Sequence, residues 1–125
     1  MRQFDMVDAV PQIKALLEVA ETEIEYAVSA TWPRRTPKGN LVTVQEIANN
    51  SSNNPCVDVL GYQIDLWSDS QDAIRGLTPA VDRQLTGIGL LRNYSGPILR
   101  QGDTHYRKTL RYGRRVDKRT MRLID

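Results

Sequence analysis

The chain is short of the residues that build reactive centres. It holds one cysteine, Cys56, and one histidine, His105. A single cysteine excludes an intramolecular disulfide and fits a reducing compartment. One imidazole leaves little material for a transition-metal site. Long apolar runs are missing too: no uninterrupted stretch exceeds three residues, too short for a membrane-spanning helix or the hydrophobic region of a secretory signal. No glycine-rich phosphate loop, Walker sequence, zinc-ligand spacing or Gly-x-Ser-x-Gly elbow occurs. These gaps argue against an enzyme, a metal, a cofactor and a membrane partner, and they place the chain in a cytoplasmic-type setting.

What is present suits one soluble domain spanning residues 1–125. The composition is 40% hydrophobic and 26% charged over 125 residues, enough for a single core and unlike a disordered chain. The charge is polarised. Residues 1–62 carry a net −3 and residues 63–125 a net +5, giving +2 in all. Between Arg100 and Arg122 lie nine basic residues against Asp103 and Asp117, and thirteen of the seventeen basic residues are arginine. Arginine's planar, weakly hydrated fork favours interfaces and phosphates. A basic end on a polarised chain points to an acidic partner: a protein ring, a neighbouring subunit or nucleic acid.

Periodicity predicts the elements. Asp8 is placed to cap a helix over 9–22 with Pro11 in its first turn, Ile13, Leu16, Leu17, Ala20 and Ile24 on the apolar side, and Lys14, Glu18, Glu21 and Glu25 outward. Tyr26 to Trp32 reads as extended, and Pro33 to Asn40, with two prolines and a glycine, as a loop. Leu41 to Ala48 reads as a strand and the polar tract Asn49 to Pro55 as a connecting loop. Leu60, Tyr62, Ile64 and Leu66 alternate with Gly61, Gln63, Asp65 and Trp67, the clearest strand in the chain. Ser68 or Ser70 then caps a helix lined by Ile74, Leu77, Val81 and Leu85. Gly76 and Thr78-Pro79 predict a kink or two short helices there, and Gly87 a stop. Ile88 to Tyr94 reads as a strand. His105 to Tyr112 reads as another, with Tyr106, Leu110 and Tyr112 on one face and His105, Arg107, Thr109 and Arg111 on the other. Val116 to Ile124 forms a last strand or arm. The expected fold is a two-layer α+β domain: a mainly antiparallel sheet of roughly four to five strands with two helices on one face.

Few residues could carry chemistry. A triad would have to use His105, which reads as an ordinary strand-surface histidine. Cys56 reads as a small half-buried apolar residue. Asp65 with Asp69, or Asp69 with Asp72, could form a carboxylate pair for a metal or acid–base work, but Asp69 and Asp72 better favour the start of a helix. Nucleic acid is the stronger rival: Arg107, Lys108, Arg111, Arg114, Arg115, Lys118, Arg119 and Arg122, interleaved with Tyr106 and Tyr112, could track a phosphate backbone. A net +2 is modest for a dedicated binder, and the two tyrosines share the apolar face with Leu110, so a protein interface is the favoured reading of these arginines.

The segment Tyr62-Gln63-Ile64-Asp65-Leu66-Trp67-Ser68, followed by a helix with Ala73, Ile74, Leu77, Val81 and Leu85 and by a closing strand His105-Tyr106-Arg107-Lys108-Thr109-Leu110-Arg111-Tyr112, resembles the tail-completion or tail-terminator proteins of long-tailed bacteriophages. The layout covers nearly the whole chain, and Gly76 and Pro79 depart from the smooth helix usual in that family. The resemblance implies a structural virion protein of the neck: a homo-oligomeric, hexameric ring that caps the tail tube and joins the tail to the head connector or adaptor. DNA would pass through the lumen without being specifically bound, and the subunit would reside in the host cytoplasm before assembly. A head-completion or adaptor ring of the same neck is the alternative within that assembly, and a small nucleic-acid-binding module using the basic C-terminal segment is the alternative from another class. The interface residues expected on this reading are Arg107, Arg111, Arg114 and Arg115 on the basic segment, with Arg34, Arg35, Lys38, Asn50 and Asn53 on the two loops that would reach adjoining rings.

Overall fold

A computed structural model describes residues 7–124. The elements are α1 (Val10–Glu18), β1 (Ala27–Ser29), β2 (Leu41–Ser51), β3 (Val57–Ser68), α2 (Gln71–Gly87), β4 (Leu91–Ser95), β5 (Leu99–Gln101), β6 (His105–Asp117) and β7 (Arg122–Ile124). The fold is α+β. Its sheet runs β1-β2-β3-β6-β4, with β5 and β7 also paired to β6. This corrects the expected strand count and pairing: the sheet has seven strands and is mixed, because β1 lies parallel to β2 while every other pair is antiparallel. The surplus comes from length. At 13 residues, β6 has one edge on β3 and enough of the other for β5, β4 and β7 to follow one another along it. The expected extended segment at 26–32 contains β1 and the expected last strand or arm at 116–124 contains β7, whereas the three residues of β5 are too few for alternation to announce it.

One alternation organises the core. Leu60, Tyr62, Ile64 and Leu66 of β3 join Leu110, Tyr112 and Val116 of β6 and Val42 and Val44 of β2, against Ile74, Leu77, Val81 and Leu85 of α2 and Ile13 and Leu17 of α1. Both helices therefore cover the same sheet face. Ile64, Leu66, Ile74, Val81, Leu85 and Leu110 are fully buried, as the alternating strands and the helix stripe require.

Several boundaries differ from the periodicity. The first helix stops at Glu18, because Val19 points into solvent and the apolar spacing lapses. The Tyr26 hydroxyl donates to the Leu17 carbonyl at 2.7 Å, occupying a helix-end acceptor. Asp8 does accept from the Val10 amide at 3.1 Å, but one residue ahead of the cap position, Ala9. The second helix is a single element of 17 residues despite Pro79. Its cap is Ser70, which accepts from the Ala73 amide at 3.2 Å, while Ser68 supports the preceding turn through the Ser70 amide. Thr78 folds its hydroxyl back onto the Ile74 carbonyl at 2.7 Å next to the proline. At Gly76 the movable end of the Ile24 side chain, from the segment between α1 and β1, rests against the bare backbone of α2.

The stop of α2 is set two residues beyond Gly87. Gly89 adopts φ +101°, its amide donates to Thr86 O at 3.0 Å and the Leu90 amide to Leu85 O at 3.2 Å. That pair of bonds is a Schellman closure, with Leu85 and Leu90 both buried behind it. Consequently β4 begins at Leu91 rather than Ile88. Asn49, Asn50 and Ser51 belong to β2, opposite Leu60, Val59 and Asp58, so the polar tract yields only residues 52–56 to the turn. Ile47 bulges out of β2 between Glu46 and Ala48, which explains the loose alternation there.

Two substitutions test this packing. Ile64→Ala is expected to lower unfolding free energy by ~2–5 kcal/mol through the cavity it leaves. Gly89→Ala is expected to cost about 1 kcal/mol, since an L side chain is strained at that φ. Urea titration measures both, and an unchanged midpoint for Ile64→Ala would refute the core assignment.

Candidate functional site

The sheet face away from the helices is not simply solvated. The unbroken β3–β6 register sets Gln63 opposite Arg111, Asp65 opposite Thr109 and Trp67 opposite Arg107, while β2 sets Thr43 opposite Asp65. Asp65 is completely buried here. Its carboxylate accepts from the Thr109 hydroxyl and from the Gln63 amide at 2.9 Å, and it lies 3.6 Å from the Arg107 guanidinium. Trp67 donates its indole N–H to Thr43 Oγ1 at 3.0 Å. Apolar packing cannot satisfy such groups, so each takes a cross-strand partner.

The loop after β1 folds onto this network. Trp32 meets Trp67 edge-on, with centroids 4.8 Å apart and planes at 83°. The Arg107 guanidinium lies 5.2 Å from the Trp32 ring centroid and 5.5 Å from that of Trp67, so it faces two aromatic rings as well as Asp65. Beside this cluster opens a pocket of about 330 Å³ lined by residues 32–37 with Trp67, Gln101, Gly102 and His105. No acidic side chain lines it, whereas Arg34 and Arg35 do. His105 is 6% exposed, a correction to its expected place on the strand surface. Among the described residues neither of its ring nitrogens has a hydrogen-bond partner, nor has Arg107 Nε.

The predicted interface arginines separate into different roles. Arg107 faces Asp65 and the two tryptophans within its own chain. Arg111 is exposed, donates to Gln63 Oε1 at 3.1 Å and lies 5.0 Å over the Tyr94 ring. Arg115 is exposed on the same face. Arg114 points to the other side of β6 and donates to the Ile124 carbonyl at 2.9 Å, so it does not join them. Arg34 and Arg35 gather at the pocket, and Lys38 stays exposed farther along that loop. Asn53 is exposed in the turn, while Asn50 is exposed on a strand rather than on a loop.

Much of the basic segment has internal partners. Lys108 donates to the Gly96 carbonyl, Arg100 to the Asp103 carbonyl, Lys118 pairs with Asp58 at 3.3 Å and Arg119 with Asp117 at 3.0 Å. The Arg119 side chain, then its amide, holds the Asp117 carboxyl below its ordinary range. On the helix side, burial and then the 2.7 Å bond to Asp82 push the Tyr112 phenol far above its usual value.

What the uncovered face offers instead is apolar surface. The cross-strand neighbours of Arg107, Arg111, Gly113 and Arg115 are Leu99, Tyr94, Leu91 and Val59, all with more than a third of their surface exposed. With Trp32 they interleave apolar groups and arginines across one sheet face. Among the described residues no three His, Cys, Asp or Glu side chains group to hold a metal ion, and no helix is long and apolar enough to cross a membrane. Cys56 is half-buried and free. No protein-family model matches the chain, and no curated protein sequence matches it significantly.

The buried network should be expensive to break. Asp65→Ala strands Arg107 among aromatic rings and is expected to cost about 3 kcal/mol. Thr109→Val removes one hydrogen bond and is expected to cost about 1 kcal/mol. Because both act on one carboxylate, the double variant should fall short of their sum by at least ~0.5 kcal/mol. Simple additivity in urea unfolding would show that the two side chains do not cooperate.

Proposed function

We propose that the chain is a non-enzymatic assembly subunit of a bacteriophage neck, forming a homo-oligomeric ring that caps the tail tube and joins it to the head connector. The observation that carries this reading is the uncovered sheet face, where Leu91, Tyr94, Leu99 and Val59 interleave with Arg111 and Arg115. Val59, Arg111 and Arg115 belong to β3 and β6, strands whose sequence resembles the tail-terminator family, while β4 and β5 beside β6 supply Leu91, Tyr94 and Leu99. Aromatic and arginine side chains on one surface are the composition of protein interfaces. A ring of six such subunits is what the resemblance implies, and a head-to-tail contact closes into a ring when its rotation is right. The adaptor ring of the same neck would use the same surface.

The internal pairing of Arg100, Arg107, Lys108, Lys118 and Arg119 weighs against the nucleic-acid module. A phosphate track needs cations that face outward together. DNA is then a passenger through the ring lumen, and the partners are protein: copies of this chain, the tail tube and the connector. The subunit belongs to the virion after assembly and to the host cytoplasm before it.

Arg111→Glu tests the surface without touching the core. The variant is expected to keep its stability within about 1 kcal/mol, having lost one exposed cation–π contact and one exposed hydrogen bond to Gln63. It should fail to form the ring that wild-type protein forms with isolated tail tubes, as read by native mass measurement. Wild-type protein that stays monomeric with tubes, or that binds duplex DNA tightly as a monomer at physiological salt, would overturn the assembly reading.

A further inference from the structure

We propose that the pocket bounded by Trp32, Trp67 and His105 receives a glutamate carboxylate from a second copy of the chain, presented by the acidic connection between α1 and β1. This rests on the assembly reading above and adds to it a specific contact between subunits.

The pocket has the chemistry of a carboxylate receptor. His105 is more than nine-tenths buried, lines the cavity and leaves both ring nitrogens without partners among the described residues. Arg107, two residues along β6 and outside the pocket lining, keeps its guanidinium on Asp65 while its Nε is buried without a hydrogen bond. Buried polar groups are almost always hydrogen-bonded, so the unmet capacity of His105 calls for a ligand. Arg34 and Arg35 add positive charge at the rim and no acidic side chain offsets it within the lining. Guanidinium and imidazole N–H groups set against aromatic walls suit a planar oxyanion, whose two oxygens can accept from separate donors.

The chain itself carries the matching group. Glu18 at the end of α1 and Glu21, Glu23 and Glu25 in the connection that follows stand without a basic residue among them, and all four are exposed. Only Glu18 has an ion-pair partner among the described residues, Lys14 at 3.5 Å. This connection belongs to the helix side of the sheet, where Ile24 packs against the core and Tyr26 bonds to the end of α1. The pocket belongs to the opposite face. One copy presents donor and acceptor surfaces on different sides, which gives a head-to-tail contact that each copy repeats with the next.

The test follows the His105 ring by side-chain-labelled NMR while native mass measurement reads assembly, with and without isolated tail tubes. The His105 ring signals are expected to move as wild-type subunits assemble. Glu21→Lys/Glu23→Lys should weaken assembly by more than about tenfold and abolish the shift. Adding Arg34→Glu/Arg35→Glu to the same chain should restore both, since the charges are then exchanged; every altered side chain is exposed, so the variants should remain folded. Rings of wild-type mass with unmoved His105 signals would overturn this contact and leave the assembly reading intact. A shift produced equally well by millimolar inorganic phosphate in the monomer would assign the pocket to a free oxyanion and overturn the second copy as its occupant. Wild-type protein that never assembles would overturn both.

Discussion

The pairing of β3 with β6 governs the rest of the molecule. Twelve consecutive residue pairs run from Val57 opposite Asp117 to Ser68 opposite Tyr106 without a slip. Because side chains alternate strictly, that one register assigns every residue of both strands to a side. It puts Tyr62, Ile64, Leu66, Leu110 and Tyr112 under the helices, and on the reverse it brings Asp65 to Thr109 and Trp67 to Arg107. A one-residue slip would exchange a dry core for a set of charges. The buried Asp65 network therefore resists misregister from one side while the apolar cluster resists it from the other.

Legibility in the sequence followed the range of the interaction. The face of β3, the stripe of α2 and the cap at Ser70 could be read because each depends on neighbours a few residues apart. The contacts of the reverse face could not. Asp65 and Thr109 are separated by 44 positions, and nothing local indicates that Arg107 will meet a tryptophan from the loop after β1. His105 looked like a surface residue because its buried state is made by the chain segment that folds over it. Gly76 and Pro79 misled for a related reason: read locally they break a helix, but both sit at exposed positions of one continuous helix whose opposite stripe is held in the core. The short strands β1, β5 and β7 owe their existence to the long strands beside them rather than to their own residues.

The arginine-rich end shows how far counting can mislead. As a string, residues 100–122 look like a continuous cationic tract. Folded, they divide between two sides of a strand and a turn, and most of the charges meet a carbonyl or a carboxylate of the same chain. What projects outward is sparse and set among leucine, valine and tyrosine. Desolvating such a surface against another protein leaves few stranded charges, because the flanking apolar groups supply the burial and each arginine needs one acceptor.

The edge-on pair of Trp32 and Trp67 has a practical side. The chain contains two tryptophans, and both stand at this one place with a guanidinium beside them. Intrinsic fluorescence is thus a single-point probe: its emission reports the state of the loop after β1 against the end of β3, and it is blind to the packing of the helices until the sheet itself comes apart. A change in emission without loss of helical circular dichroism would mark the opening of that loop alone, with no dye or engineered label required.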